Sequence, residues 1–406
     1  MQKEVIRFAE MFSGPGGMSK GAALAAQELG CEISHTWAID YDPPTCLTYS
    51  HNIFGSTIGE MDDRMHCWDV SEHADDIASL PEVDVFAFGF PCNSYSLIGK
   101  QEGLDSKKFG TLYTCAQGYL KSRWPKAFVA ENVSGLSSAN QGKAFAQILH
   151  DLEYPDGETD DPARHYVLTV HLYDASDYKV PQERERYLIT GLRADLGLKF
   201  KPPAPMPGKV TSQMALEIPP IPIGAPNHEL TNQSETVTQR LIHIPEGENA
   251  WSDAIPKHLR LAESCTQLSQ TYKRLHSQKP SYTITGSGGG GSHVYHYSEP
   301  RALTNRERAR LQSFPDDFVF VGKKEQVRKQ VGMAVPCLLA KALFMVLIPL
   351  LQGEDHGDTI HPNRDVKRLQ KIRHHVETVN FVVKEPKVSK KLGSKVDAIS
   401  LDQKHA

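Results

Sequence analysis

The sequence has little that would suit a metal ribbon or a disulfide scaffold. Its seven cysteines are scattered over 406 residues with no Cys-x-x-Cys pair. That spacing predicts a reducing, cytoplasmic setting and no metal site. The opening residues, MQKEVIRFAE, have no long apolar core of the signal-peptide kind. The most apolar late stretch, AVPCLLAKALFMVLIPLL, is broken by two prolines and Lys341, which predicts a buried helix rather than a membrane span. Excess charge is also scarce. The formal net charge is −4, so attraction to nucleic acid would have to come from local basic patches. There is no internal repeat.

What remains is an ordinary globular composition, 39% hydrophobic and 23% charged, long enough for two domains or one large domain with an insertion. To about residue 192, strand-like runs (VIRFAEMF, SHTWAID, DVFAFGF, KAFVAEN) alternate with helix-like ones such as MSKGAALAAQELG. This alternation predicts an α/β fold on a parallel, doubly wound sheet. Residues 201–227 are proline-rich and mark the exit from the first domain. The run GSGGGGS, 286–292, reads as a loop or a hinge. Helical character returns near TNRERARLQSF and again at 334–351. From about 353 the chain is polar, with eleven Lys or Arg against five Asp or Glu between Arg364 and Lys404, a local net of +6. A solvated tail and a DNA-contacting arm are both consistent with that composition.

FSGPGGMSKG, 12–21, stands between the first strand and first helix, where α/β folds receive nucleotides on glycine backbone and free helix amides. Asp40 closes the next strand, in place for a ribose. Asp69 in CWDV is a candidate acceptor for an adenine amino group. A dinucleotide fits this pattern, and so does S-adenosylmethionine; Pro15 interrupts the glycines and no pyrophosphate partner is evident. In GFPCNSYS, Cys92 follows a proline at the tip of an apolar run, a better place for a nucleophile than for a core filler.

Taken in order, FSGPGG, GFPCNSYS, ENV (131–133), QERER (182–186), RLQSFPDDF (310–318) and VGMAVP (331–336) resemble the DNA cytosine-5 methyltransferases of prokaryotic or phage type. The resemblance spans roughly residues 7 to 345. It implies a Rossmann-like class I S-adenosylmethionine-dependent sheet in residues 1–192, completed by about 325–352. It also implies a smaller target-recognition domain in 193–324 and leaves 353–406 as a polar, basic extension. The implied activity is sequence-specific methylation of carbon 5 of a flipped cytosine in double-stranded DNA, with S-adenosyl-L-methionine as cofactor. A monomer at the nucleoid, free of any membrane, with a cognate restriction or defence protein as partner, completes that expectation.

By the same resemblance Cys92 is the nucleophile that adds to carbon 6, and its surroundings should lower the thiol pKa. Glu131 pairs with the ring nitrogen and exocyclic amine, and should hold a proton near neutral pH. Asn132 orients the loop. Period two puts Gln182, Arg184 and Arg186 on one side of a strand; Arg186 matches the residue on the cytosine carbonyl, and Arg184 one that braces the cysteine or the loop. GKQEGLDSKKFGTLY looks like the mobile catalytic loop. The cofactor set is Phe12, Gly14, Pro15, Gly16 and Gly17 at the turn, Asp40, Asp69 with Val70, and Leu112. In VGMAVP, Met333 stands where the family usually has asparagine, which puts the cofactor geometry in question. Lys257, Arg260, Lys273 and Arg274 are candidates for DNA contact. A transfer RNA methyltransferase, a non-catalytic DNA-binding relative and a nicotinamide oxidoreductase remain as alternatives.

Overall fold

The computed structural model describes residues 5–90, 112–158, 161, 163–262, 264–266, 268–288 and 291–354. Seven strands form one sheet: β1 (Ile6–Met11), β2 (Ile33–Asp40), β3 (Met65–Cys67), β4 (Val85–Phe88), β5 (Ala127–Val133), β6 (Tyr166–Asp174) and β7 (Glu185–Arg193). Their order is β3-β2-β1-β4-β5-β7-β6. The first five pair in parallel. The order therefore reverses between β1 and β4, and the crevice beyond their carboxyl ends is where such sheets take ligands.

The expected doubly wound α/β sheet is present, with one strand reversed: β7 runs antiparallel to both β5 and β6. Between β6 and β7 the chain makes only a short 3₁₀ turn, Ala175–Tyr178. A link of that length can reverse the chain but cannot carry a parallel crossover.

Ten helices complete the described chain: α1 (Gly17–Leu29), α2 (Pro43–Tyr49), α3 (Ala74–Ser79), α4 (Tyr113–Arg123), α5 (Lys143–Glu153), α6 (Ser212–Glu217), α7 (Glu235–Ile242), α8 (Asn305–Leu311), α9 (Lys324–Met333) and α10 (Cys337–Leu351). The Ala-rich α1 ends where Gly30, in the left-handed region, donates back to Ala26 and Gln27. On one side of the sheet Trp37, Phe86, Phe88 and Phe128 pack with Tyr119, Phe145 and Leu149. On the other, Phe8, Val85 and Val129 pack with Ala22 and Ala26 of α1 and with Leu343, Phe344 and Leu347 of α10.

A Cβ at Gly21 would lie 2.4 Å from Ala340 Cβ and 2.5 Å from the Cys337 carbonyl, so α1 and α10 meet backbone to backbone. The stretch Lys324–Leu351 is long and apolar enough to cross a membrane by composition, yet its most apolar window is mostly buried in protein. It comprises α9 and then α10, the core helix expected from the sequence.

Beyond β7 the chain leaves the sheet through irregular, proline-rich backbone. A second core joins Leu216, Leu275, Ile284, Leu303 and Phe314 to Val327 and Val331 of α9, with Leu24 and Ile53 packed against it. A third is smaller, around Leu241, Ile255, Tyr272 and Tyr295. The proline-rich segment is tied down by buried Arg306, which donates to the Pro226 carbonyl at 2.9 Å, the Pro315 carbonyl at 2.8 Å and the Phe318 carbonyl.

Candidate active site

At the carboxyl end of β5 the pleat turns Glu131 toward the start of β7, and there it meets Arg186. The Nε of Arg186 lies 2.8 Å from Glu131 Oε1, both side chains being 13% exposed. Arg186 also donates to the Glu185 carbonyl at 2.7 Å. Gly89, just beyond β4, sits against the same carboxylate; a Cβ there would be 3.3 Å from Glu131 Oε2. Buried Asn132 donates to the Phe90 carbonyl at 3.2 Å, while its own oxygen accepts from the Val133 amide. It thus ties down Phe90, the last described residue before Cys92. Cys92 and the loop GKQEGLDSKKFGT lie outside the described residues, as do Gly289, Gly290 and the tail 355–406.

The alternation in QERER holds: Gln182 and Arg184 are buried, while Glu183 and Glu185 are exposed. Only Arg186 of the three inward residues reaches Glu131. The Arg184 guanidinium is spent on the carbonyls of Ile284 (3.0 Å), Gly332 (3.0 Å) and Ala334 (3.2 Å). Its Nε has no partner among the described residues, and burial pushes its pKa well below the ordinary guanidinium value. Gln182 accepts from the Ile284 amide and donates to the Leu311 carbonyl and Gln312. Arg184, expected to brace the cysteine or the loop, which lie outside the described residues, clamps together the start of β7, the Ile284 segment and the α9–α10 turn. Sequence alone could not foresee this, because its partners are main-chain carbonyls from remote segments.

The expected cofactor residues come together at the carboxyl ends of β1 and β2. The Gly14 amide donates to Asp40 Oδ2 at 2.9 Å, and the Asp42 amide to Oδ1 at 3.1 Å. Burial pushes the Asp40 carboxyl up. Gly16 caps α1 at φ 95°, a left-handed value that favours glycine. At Gly17 a Cβ would lie 2.1 Å from the Val335 carbonyl, whereas one at Gly14 would meet nothing within 4 Å. The turn thus presses α1 against the α9–α10 junction on one side and keeps open space on the other. Pro15 is buried in it. Asp69 caps the turn Val70–Glu72 through the Ser71 amide at 3.2 Å and hydroxyl at 2.7 Å. Val70 and Leu112 are buried in one apolar cluster, with Phe12 packed against it.

Two residues at this edge escaped the sequence reading. Tyr41, directly after Asp40, is 60% exposed, with Lys329 Nζ 5.6 Å above its ring and 3.2 Å from its hydroxyl. An aromatic next to the expected ribose acid was the available signal. Glu10, fully buried beneath the turn, accepts from Ser19, whose hydroxyl is 2.6 Å from that of Tyr49; burial pushes its carboxyl up to about 8. Met333 is 48% exposed at the end of α9. An open cradle, a bonded acid at a strand end, an exposed ring and a capped second acid fit a nucleoside-type cofactor.

Arg274 is corrected as a DNA-contact candidate. It is buried and donates to the carbonyls of His296 (2.8 Å), Leu241 (3.0 Å), Ile244 (2.8 Å) and Glu299 (3.2 Å), closing the third core. Arg260 donates to Ile255 and Asp253 carbonyls, Lys273 lies 4.7 Å over the Tyr282 ring, and Lys257 is exposed.

Comparison with known proteins agrees with this arrangement. The type II methyltransferase M.BbvI of Brevibacillus brevis is 47% identical over 384 residues, covering 90% of this chain and 99% of that one. The type II methyltransferase M.NgoFVII of Neisseria gonorrhoeae is 37% identical, covering 90% and 95%. Among solved structures, an E. coli prophage-encoded protein described as a DNA modification methyltransferase aligns with TM-score 0.62 at 22% identity, covering 85% and 99%. The Entamoeba histolytica methyltransferase EhMeth aligns with TM-score 0.55 at 13% identity, covering 86% and 98%. These two likenesses concern the fold. Residues 6–348 match the family of C-5 cytosine-specific DNA methylases, and the chain belongs to that family as a DNA (cytosine-5-)-methyltransferase.

Proposed function

We propose that this enzyme methylates cytosine within a short, specific sequence of duplex DNA, turning the base out of the helix and attacking it with Cys92. The observation that supports the site assignment is the Glu131–Arg186 pair, 2.8 Å apart beside Gly89, three residues before the cysteine.

The Cys92 thiolate adds to carbon 6 and makes carbon 5 nucleophilic, splitting a hard substitution into easier steps. Glu131 donates toward the ring nitrogen and accepts from the exocyclic amine, which makes the ring a better electrophile. Arg186 holds the carbonyl oxygen and orients Glu131. S-adenosylmethionine, when bound, supplies an electrophilic methyl group. Asp40 is positioned for ribose hydroxyls, Asp69 for the adenine amine, and Tyr41, Val70 and Leu112 for the adenine faces. After transfer, a solvent water takes the carbon 5 proton, the electron pair left behind re-forms the carbon 5–carbon 6 double bond, and the carbon 6–sulfur bond breaks to release the Cys92 thiolate.

Residues 193–324 are assigned to target recognition, against a catalytic unit of 1–192 completed by 325–352. The names of the relatives support a type II modification enzyme; that it acts as a monomer in the cytoplasm, with a cognate restriction or defence protein, is part of the same proposal.

Bisulfite sequencing of DNA from a methylation-free host expressing the wild type or Cys92→Ala tests this reading. Protected cytosines in one short motif, lost in the variant, are expected. Methylation that survives in the variant, or that appears only in transfer RNA, would overturn it.

A further inference from the structure

Two thiols meet at the strand end that carries Asp40. Asp40 closes β2, and its partner across the parallel ladder, on β3, is Cys67. Cys46 lies on α2, which packs back onto both strands. Its thiol donates to the Asp40 carbonyl at 3.4 Å, and the Cys67 thiol donates to the Tyr41 carbonyl at 3.8 Å. The Trp68 amide, next to Cys67, donates to that same Asp40 carbonyl at 3.0 Å. Consecutive carbonyls therefore receive the two sulfurs, and the sulfurs act on each other. Burial pushes the Cys46 thiol up, and the charges of Asp40 and Cys67 and a side-chain hydrogen bond with Cys67 add to the rise. Both are free thiols.

Their accessibilities are opposite: Cys46 is buried and Cys67 exposed. That order suits thiol–disulfide exchange, in which a reagent reaches the outer sulfur and the inner one attacks only its neighbour. The Cys67 thiolate attacks one sulfur of a small-molecule disulfide, the reagent's sulfur–sulfur bond breaks, and one thiolate leaves. Cys46, its proton passed to water, then attacks the Cys67 sulfur; the mixed bond breaks and the second thiolate leaves. The cysteines together lose two electrons and two protons, and the reagent is reduced to two thiols.

A bridge here would act on residues 40–42. Asp42 caps α2 through the amide and hydroxyl of Thr45, the residue before Cys46, and the Asp42 amide holds Asp40. Disulfide geometry is narrow, so sulfurs that now point at two carbonyls must turn toward each other. The Asp40 and Tyr41 carbonyls lose those donors, and the backbone that sets both side chains shifts with them.

We propose that Cys46 and Cys67 are a redox pair, closed by a small-molecule disulfide, and that closure weakens binding of S-adenosylmethionine at Asp40 and Tyr41. The effect on binding rests on the reading of this strand end as part of the cofactor site. In a reducing setting the pair stays open.

The test incubates full-length wild type and Cys67→Ser with oxidised glutathione at about pH 8.5, near the ordinary thiol pKa, and then removes the reagent. Peptide mass mapping reads the cross-link. Calorimetry reads the Kd for S-adenosylmethionine before oxidation, after it, and after dithiothreitol. Wild type should give a peptide joining Cys46 to Cys67, with Kd raised about fivefold or more, the lower end of coupling between sites. Dithiothreitol should restore it. Cys67→Ser keeps a donor for the Tyr41 carbonyl, so it should bind like reduced wild type and ignore the oxidant; Cys67→Ala gives the same readings where serine disturbs the fold. Glutathione retained on Cys67 with Cys46 free marks a lone surface thiol and overturns the pair. A Cys67→Ser protein that loses affinity on oxidation as wild type does also overturns it, since another thiol then carries the effect. A cross-link that leaves Kd unchanged overturns the control of binding. Reduced wild type that binds no S-adenosylmethionine sinks the cofactor reading as well, whereas a missing cross-link in a protein that binds it sinks this proposal alone.

Discussion

Glu131 and Arg186 stand on neighbouring antiparallel strands, two residues out of register, since Arg186 pairs in the ladder with Val133 and Glu131 with Leu188. Their side chains close the diagonal at 2.8 Å. The contact exists because β7 is reversed, which brings the start of that strand to the end of β5, beside the backbone that leads to Cys92. Replacing either residue should leave the fold intact and remove chemistry. Glu131→Gln keeps the shape but cannot donate a proton to the ring, and kcat should fall by about 10²–10⁴. Arg186→Met should reduce methyl transfer as well. Single-turnover methylation beside circular dichroism measures both, and a Glu131→Gln enzyme with wild-type kcat would end the assignment.

Stability should depend on pH through Glu10. Its carboxyl lies at about 8 in the fold against an ordinary 4.5, so the folded chain holds the proton more tightly than the unfolded one. The resulting stabilisation is full below the unfolded value and is lost as pH rises through about 8. Asp40, pushed up by burial, acts in the same sense. Tm of the wild type should decline from about pH 5 to about pH 9, and Glu10→Gln should flatten the decline. Identical curves for the two proteins would contradict this.

The glycines of the first turn should separate into two classes. Gly17→Ala drives a Cβ to 2.1 Å from the Val335 carbonyl, and Gly21→Ala one to 2.4 Å from Ala340 Cβ. Each should cost about 1–3 kcal/mol by overpacking, read from denaturant midpoints. Gly14→Ala meets no neighbour within 4 Å but sits at φ 55°. It should cost roughly 1–2 kcal/mol of backbone strain and weaken S-adenosylmethionine binding more than the other two.

Tyr41 should matter for the cofactor and little for the fold, because it is 60% exposed. Tyr41→Ala should raise the Kd for S-adenosylmethionine by about tenfold or more, the scale of one lost stacking contact. Tyr41→Phe keeps the ring, gives up the Lys329 bond, and should stay within a few-fold of wild type. Equal affinities for the wild type and Tyr41→Ala would remove the ring from the site.

Arg184→Met should destabilise the protein, since three carbonyls lose a charged donor worth about 1.5–3 kcal/mol per bond before relaxation. Arg184→Lys should not restore it, because an ammonium cannot reproduce the planar fork that spans Ile284, Gly332 and Ala334. Urea denaturation decides this, and full rescue by lysine would refute the clamp.

Local pattern made much of this legible. The strands β1, β2, β4 and β5, the glycine turn with Asp40, and the alternation in QERER follow from period and spacing. The reversal of β7 did not, because strand direction is set by the length of the preceding connection rather than by the strand's own residues. Nor did the fates of Arg184, Arg274 and Arg306. A charged side chain is expected at the surface, and nothing local shows that remote carbonyls will converge on it. Tyr41, an aromatic directly after Asp40, was legible from its position alone.

The turn between α9 and α10 touches both halves of the site. The Gly332 and Ala334 carbonyls hold Arg184, two residues from Arg186, while the Val335 carbonyl abuts Gly17 at the cofactor turn. In the proposed site, the spacing between methyl donor and cytosine is gauged by one splice of three or four residues. Positional error does not accumulate along the long chain that separates Gly17 from Arg184. A substitution in this splice would put two otherwise well-formed half-sites out of alignment, leaving an enzyme that binds each substrate and reacts neither.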